Sequence, residues 1–330
     1  MHYLVTGGAG FIGSYLVEKL LDNGNRVTVI DNLSTGLYEN IAGLEDKASF
    51  RFIKDSVLHD RLIEELVREC DGVFHLASAV GVRLIMERPV ETIENIFLGT
   101  ASVLKAAARY RKRVLLTSTS EVYGKSDDVP FREDGDRLEG PTHKHRWAYA
   151  AAKALDEFLI LAHWKENRLP GIVVRLFNTV GPRQTAHYGM ALPNFVSRAI
   201  SGEDLLVYGD GQQSRCFCHV SDVVEALARL MECPAAKGAV VNVGSADEIS
   251  VLALAERVIK RADSASKIRL IPYQEVYGEG FEDMRRRVPC LQKVSRLIGW
   301  RALRTIDDII DDVIAGAGSA PAALLINAIL

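Results

Sequence analysis

The sequence predicts an α/β protein built on a doubly wound, mostly parallel sheet, with a smaller C-terminal α/β region for substrate. Three observations predict it. A glycine-rich turn joins an apolar strand to an amphipathic helix at the very start of the chain. An acid closes the second strand, and short β-branched runs alternate with helical patterns through the first half.

Tyr3, Leu4 and Val5 read as a short buried strand, and Ser14–Leu21 as an amphipathic helix with Gly24 just past its end. Between them, Gly7, Gly10 and Gly13 allow a tight turn, close approach of backbone to a pyrophosphate, and tight helix–strand packing. The helix start, with Phe11 and Ile12, then presents free N–H groups and a positive dipole end to phosphate. A second strand, Arg26–Ile30, ends in Asp31, 18 residues beyond Gly13. A carboxylate there accepts from adenosine ribose hydroxyls and repels a 2′-phosphate, so NAD is expected rather than NADP.

Further strand-like runs follow at Phe50–Ile53, Gly72–Leu76, Val114–Ser118 and Ile172–Arg175, with helical patterns at Leu62–Glu69, Val90–Tyr110 and Tyr149–Glu166. Ligands of such a Rossmann-type sheet sit outside the carboxyl ends of its strands. After about Gly181 the pattern loosens. Helices are expected at Leu192–Ser201 and Asp222–Met231, strands near Leu205–Tyr208 and at Val240–Val243, and a Ser250-capped helix to Arg261. We therefore expect a dinucleotide domain over 1–180 and a mainly ligand-binding region over 181–310, part of which re-enters the main domain. Residues 311–330 form a tail to which the sequence assigns no role.

The 330 residues carry 48% apolar and 25% charged side chains and a formal charge of −3, which gives no reason to expect nucleic acid or a membrane surface as partner. Five scattered cysteines suit reduced thiols in a cytoplasm rather than a disulfide framework. The close trio Cys216, Cys218 and His219 has poor spacing for a closed zinc site, so no metal is expected. No signal peptide is expected ahead of the first strand, and Gly, Pro and Asn interrupt the apolar tail, so neither is a membrane span.

Tyr149 and Lys153 stand four residues apart, on one face of a helix. A phenol is a poor base at neutral pH. A neighbouring ammonium and a positive nicotinamide ring would stabilise the phenolate. Ahead of that helix, Leu115–Ser118 runs into Thr119, Ser120 and Glu121 and then a Tyr123-Gly124 turn, a hydroxyl-rich strand end where a ligand should sit.

With these motifs the chain resembles the extended short-chain dehydrogenase/reductases, in particular the NAD-dependent nucleotide-sugar epimerase, dehydratase and decarboxylase group. The resemblance spans residues 1–310 and rests on Thr6–Gly13, Asp31-Asn32-Leu33, His75-Leu76-Ala77-Ser78, Asn95 with Gly99-Thr100, Thr119–Gly124, Tyr149–Lys153 and Arg175–Asn178. It implies Tyr149 as catalytic base, Lys153 as its electrostatic partner and ribose anchor, Thr119 as a hydroxyl between the sugar and Tyr149, and Ser120 and Glu121 beside the reacting carbon. For the cofactor it implies Asn32, Ser34, Thr35 and Gly36 after Asp31, Asp55 and Ser56 at adenine, and Leu76, Ala77, Ser78, Asn95 and Thr117 along the groove. For a UDP-sugar it implies Val80, Asn178, Arg215 as diphosphate clamp, and Glu282, Asp283 and Arg285, with the active member of Arg285, Arg286 and Arg287 left open. Arg183 and His187 are candidate neighbours of a sugar carboxylate.

The resemblance further implies hydride removal from C4 of the sugar, giving a retained 4-keto intermediate. Ser120-Glu121 in place of the Asp-Glu of a dehydratase disfavours elimination. Thr119-Ser120-Glu121 and Arg146-Trp147 resemble UDP-glucuronate decarboxylases, whereas Asn178–Thr185 and Tyr188-Gly189-Met190 resemble UDP-sugar 4-epimerases. The expectation is a UDP-sugar 4-epimerase acting on UDP-glucuronate, with UDP-glucose 4-epimerase or UDP-glucuronate decarboxylase giving UDP-xylose as the alternatives. A homodimer through helices 90–110 and 149–166 is also implied.

Overall fold

The structure is a computed structural model and describes residues 1–78, 85, 87–185, 190–277 and 282–319. Strands β1 (His2–Thr6), β2 (Arg26–Ile30), β3 (Phe50–Ile53), β4 (Gly72–His75), β5 (Arg113–Thr119) and β6 (Gly171–Leu176) join Val240–Val243 in one seven-stranded sheet. From one edge the order is Val240–Val243, β6, β5, β4, β1, β2, β3. Every pairing is parallel. The order reverses between β1 and β4, so a crevice opens outside their carboxyl ends.

Alternate side chains of each strand enter opposite cores. Val5, Val27, Val29, Phe74, Leu115 and Val174 face helix α1 (Phe11–Asp22) and helix Val220–Glu232. Leu4, Ile30, Val73, Val114, Leu116 and Val173 face the helices Asp60–Glu69, Pro89–Tyr110 and Ala148–Asn167. A third core gathers Leu192, Phe195, Val196, Leu254, Val258, Ile309, Ile310 and Val313 in the second layer. Among the described residues, that layer holds short strands and the helices Ala191–Ile200, Val251–Arg261 and Ile306–Ser319.

Most elements fall within one or two residues of their expected bounds. The first helix starts three residues earlier than expected, at Phe11 with Gly10 as N-cap. Gly13 is thus helical, and a Cβ there would strike the Gly7 carbonyl and the Gly8 Cα. The tail is partly structured: helix Ile306–Ser319 runs straight through the expected break at 311, because Ile309, Ile310 and Val313 fill the third core. Residues 320–330 lie outside the described residues, as do Val80, His187, Tyr188 and Gly189. Among the described residues no helix is long and apolar enough to cross a membrane, and no cluster of three His, Cys, Asp or Glu side chains is placed to hold a metal.

Candidate active site

A cleft of about 1040 Å³ runs from the first turn of α1, past the ends of β4 and β5, to the second layer. One end is the glycine turn. Gly7 has φ +72°, and a Cβ on it would lie 2.8 Å from the Ala77 nitrogen. The turn therefore fits only glycine, and a slender backbone wall is left facing the cleft. The N–H groups of Phe11, Ile12 and Gly13 precede the first acceptor of the helix, and no acid occupies its first turn. Asp31 is buried beside them. Its Oδ2 accepts from Ala9 N at 3.0 Å and its Oδ1 from Leu33 N at 2.8 Å. Burial pushes its carboxyl above the usual range, and those two backbone donors oppose the shift.

Asn32, Ser34, Thr35, Asp55, Ser56, Leu76, Ala77, Ser78, Asn95 and Thr117 all line the same cleft. Asp55 turns its Oδ1 to Ser56 N at 2.7 Å and its Oδ2 to His59. Gly36 lies behind this wall, where a Cβ would stand 3.1 Å from both Asp31 Oδ2 and Gly10 N.

At the middle of the cleft β5 ends in Thr119, whose hydroxyl accepts from Glu121 N at 3.2 Å and caps the short turn Ser120–Tyr123. Helix Ala148–Asn167 brings Tyr149, Ala152, Lys153, Asp156, Glu157 and Ile160 inward on one buried face. Burial pushes the Tyr149 phenol well above its ordinary range, the charge of Glu121 adds to this, and the Thr119 hydroxyl pulls the other way. Lys153 Nζ pairs with Asp156 Oδ2 at 3.0 Å, away from the cleft wall.

The far end is rich in buried charge. Glu121 Oε2 meets Arg146 Nη1 and its Oε1 meets Arg287 Nη2, both at 2.5 Å. Burial alone would raise this carboxyl, but the two guanidiniums hold it far below the carboxylate range. Arg215 Nη2 reaches Asp283 Oδ2 at 2.9 Å, and Arg146 lies 3.7 Å from the other oxygen of Asp283. Strand pairing forces this crowding, since Arg287 stands directly opposite Arg215 in a parallel ladder. Two like charges at such a position are destabilising unless acids intervene.

Sequence reasoning left open which of the three consecutive arginines reaches the site. Their partners answer it. Arg287 is buried in the cleft wall and donates to Asn178 Oδ1 at 3.3 Å. Arg285 and Arg286 point outward to Asp210 and Glu248. Glu282 also lies off the cleft wall, tied to Lys144 at 2.5 Å, Lys125 at 3.2 Å and the Trp147 indole at 3.1 Å. Arg183 lines the cleft, but on the side of the glycine turn. It bonds Ser14 Oγ and Glu18 and stacks over Tyr15 at 4.5 Å. Arg146 and Asp156 were not predicted as site residues. Arg146 could have been found from its position one turn ahead of Tyr149, and Asp156 from its place on the Lys153 face.

The parallel order, the glycine-walled crevice and the inward Tyr149–Lys153 helix together define an extended short-chain dehydrogenase/reductase. The chain belongs to the family described as GDP-mannose 4,6 dehydratase, whose model matches residues 4–313. It is 43% identical over 298 residues to a UDP-N-acetyl-alpha-D-glucosaminuronate decarboxylase of Bacillus cytotoxicus, covering 89% of this chain and 90% of that one. It is 35% identical over 305 residues to UDP-glucuronic acid decarboxylase 1 of Danio rerio, covering 92% of this chain and 70% of that one. Among solved structures, it resembles a UDP-glucuronic acid 4-epimerase of Bacillus cereus in complex with UDP-glucuronic acid and NAD. There the TM-score is 0.87 at 25% identity, covering 96% of this chain and 99% of that one.

These similarities overturn the expected 4-epimerisation: these curated relatives, at 43% and 35% identity, are named decarboxylases, whereas the epimerase structures this chain resembles lie at 25–28%. The residues that suggested an epimerase explain the error. Asn178 bonds the Cys216 carbonyl, Gln184 bonds the Thr179 carbonyl, and Arg183 braces α1. Arg183 and Gln184 brace loops, and Asn178 reaches Glu121 only through Arg287. Thr119-Ser120-Glu121 and Arg146, which pointed to decarboxylation, lie at the Tyr149–Glu121 end.

Proposed function

We propose that this protein is a UDP-hexuronate decarboxylase that works with a retained NAD. The observation that carries the reading is the buried charge beside Tyr149. Three guanidiniums, those of Arg146, Arg215 and Arg287, face two carboxylates, those of Glu121 and Asp283. That leaves net positive charge in a low-dielectric wall, which an anionic ligand offsets. A diphosphate and a 6-carboxylate supply the required charge.

The residues present fit a dinucleotide, because the glycine wall and the Phe11, Ile12 and Gly13 N–H groups suit a pyrophosphate and the Asp31 carboxylate suits a ribose diol. Asn32, Ser34, Thr35 and Gly36 flank that diol, Asp55 and Ser56 take adenine, and Leu76, Ala77, Ser78, Asn95, Thr117 and Lys153 serve the nicotinamide half. NAD, when bound, supplies the hydride acceptor for the sugar C4 and later the donor. Tyr149 takes and returns the O4 proton, with Thr119 beside it. Asn178, Arg215, Asp283 and Arg287 take the nucleotide diphosphate end. Once C4 is a ketone, the C6 carboxylate is β to a carbonyl. Its C5–C6 bond breaks, the electron pair is taken up by the 4-keto oxygen, carbon dioxide leaves, and C5 gains a proton. Glu121, held ionised by two guanidiniums, keeps Arg146 and Arg287 in place.

The paired helices Pro89–Tyr110 and Ala148–Asn167 leave Val90, Ile93, Leu98, Leu155 and Phe158 exposed. Such an apolar surface on one helix pair supports a homodimer across it. The five thiols are all unpaired, which suits a reducing compartment.

The test is incubation with UDP-glucuronate and with its 2-acetamido analogue, followed by NMR of the nucleotide sugars and assay of carbon dioxide. A UDP-pentose appearing with one equivalent of carbon dioxide is expected. A galacto-configured uronate formed without carbon dioxide would overturn the reading.

A further inference from the structure

We propose that Asp156 is a positioning residue. Its wholly buried carboxylate balances the Lys153 ammonium and so sets how readily the Tyr149 phenol ionises. The inference rests on the reading of Tyr149 as the group that takes the O4 proton.

Asp156 has no solvent exposure. Its Oδ2 accepts from Lys153 Nζ at 3.0 Å and from the Thr100 hydroxyl at 2.8 Å. Having given its proton to Asp156, Thr100 Oγ1 must accept from His75 Nε2, 3.1 Å away. His75 Nδ1, then unprotonated, accepts from Thr6 Oγ1 at 2.8 Å, and that oxygen accepts from Ala77 N at 3.1 Å. Each link points its donor toward the next, and two donors converge on Asp156. The imidazole stays neutral throughout, since burial and the nearby Lys153 push its pKa down to about 3. The chain therefore ties the Lys153 pair to Thr6 and Ala77, which flank the Gly7 wall of the cofactor cleft. Asp156 Oδ1 is buried with no hydrogen-bond partner among the described residues. Its charge is thus only partly compensated, and it lies two helical turns from Tyr149 on the same buried face, with Lys153 between them.

The other charges around Tyr149 are accounted for. On the same helix, Glu157 is bound by Arg175 at 2.7 Å. From the end of β5 comes Glu121, held by Arg146 from the preceding turn and by Arg287 from the second layer, with Asp283 and Arg215 beyond them. From the end of β4 comes the neutral His75, and helix Pro89–Tyr110 contributes the uncharged Thr100. Asp156 is the negative group that contacts Lys153 directly.

Asp156→Asn keeps an acceptor oxygen for Lys153 and Thr100 and removes the charge. In the enzyme carrying its dinucleotide, the acid limb of kcat against pH should move down by about one unit. The phenolate absorbance difference between this variant and its Tyr149→Phe counterpart should move in the same direction. Thr100→Val, which leaves the charge, should keep the wild-type limb. Asp156→Ser carries the same test with less bulk if the Asn variant does not fold. An acid limb unmoved in the folded neutral variant, or moved equally by Thr100→Val, would overturn the inference. Full turnover in Tyr149→Phe would instead remove the reading on which it rests.

Discussion

Glu121→Gln probes the charge cluster most directly. The wild-type carboxylate receives a guanidinium on each oxygen, at 2.5 Å, with its side chain only 12% exposed. At an effective dielectric of 20, one such contact is worth about 4 kcal/mol of attraction before desolvation is subtracted. The net quantity is smaller, because burying each ion costs several kcal/mol. Removing one partner of a buried pair nevertheless costs about 3–5 kcal/mol, since the remaining charges stay buried without compensation. Here two arginines lose their counter-ion together, and the glutamine amide turns a donor toward one of them. We expect destabilisation of about 3–4 kcal/mol, read as a lower urea midpoint at unchanged slope. Decarboxylation should fall by about 10²–10³-fold, as when a preorganised charge contact is lost. The sign with pH follows from the depressed carboxyl. Its contribution is fully present above the unfolded value near 4.5 and is lost as pH falls through the lower folded value. Wild type and variant should therefore converge in stability only in strong acid. A variant with wild-type midpoint and wild-type carbon dioxide release would refute the electrostatic account of this end of the cleft.

Tyr149→Phe should lower turnover by about 10²–10⁴-fold while leaving UDP-sugar affinity near the wild-type value by calorimetry. If the proposed dimer forms across this face, Phe158→Asp, exposed on helix Ala148–Asn167, should scatter light as a monomer where wild type scatters as a dimer, with unchanged far-ultraviolet circular dichroism. The bonds of Glu282 to Lys144, Lys125 and Trp147 pull its carboxyl down to about 2, against opposition from burial. Its stabilisation is complete above the ordinary value near 4.5 and disappears as pH falls through about 2, so the unfolding curves of Glu282→Gln and wild type should separate above pH 4.5 and merge below about 2.

Much of the cofactor half was legible because its chemistry is local. Gly7, Gly10, Gly13 and Asp31 are fixed by a turn, a helix start and a strand end, all within one stretch of chain. Tyr149 and Lys153 were legible for the same reason, being one helical turn apart. The charged end was less so. Arg215, Arg287, Glu121 and Arg146 meet only through the pairing of Ser214–Cys216 with Arg286–Arg287 and the return of that layer over β5. Three consecutive arginines cannot be told apart by composition, whereas strand alternation turns Arg287 inward and Arg286 outward. Asp156 was hidden differently: an acid three residues beyond a lysine reads as a surface helix pair, and only burial of the whole face makes it an internal counter-ion.

The two halves of the cleft solve the same electrostatic problem, a wall that attracts anions, with different devices. At the glycine turn, positive character comes from uncapped N–H groups, which need no side chain and leave room for a bulky ligand. At the far end the guanidiniums of Arg146, Arg215 and Arg287 supply the charge. Side chains bring a cost that backbone dipoles do not, because unpaired arginines are expensive to bury. Glu121 and Asp283 meet that cost by neutralising two of the three guanidiniums before any ligand arrives. An acid between the arginines also places a negative charge beside Tyr149, which adds to the upward push that burial gives its phenol.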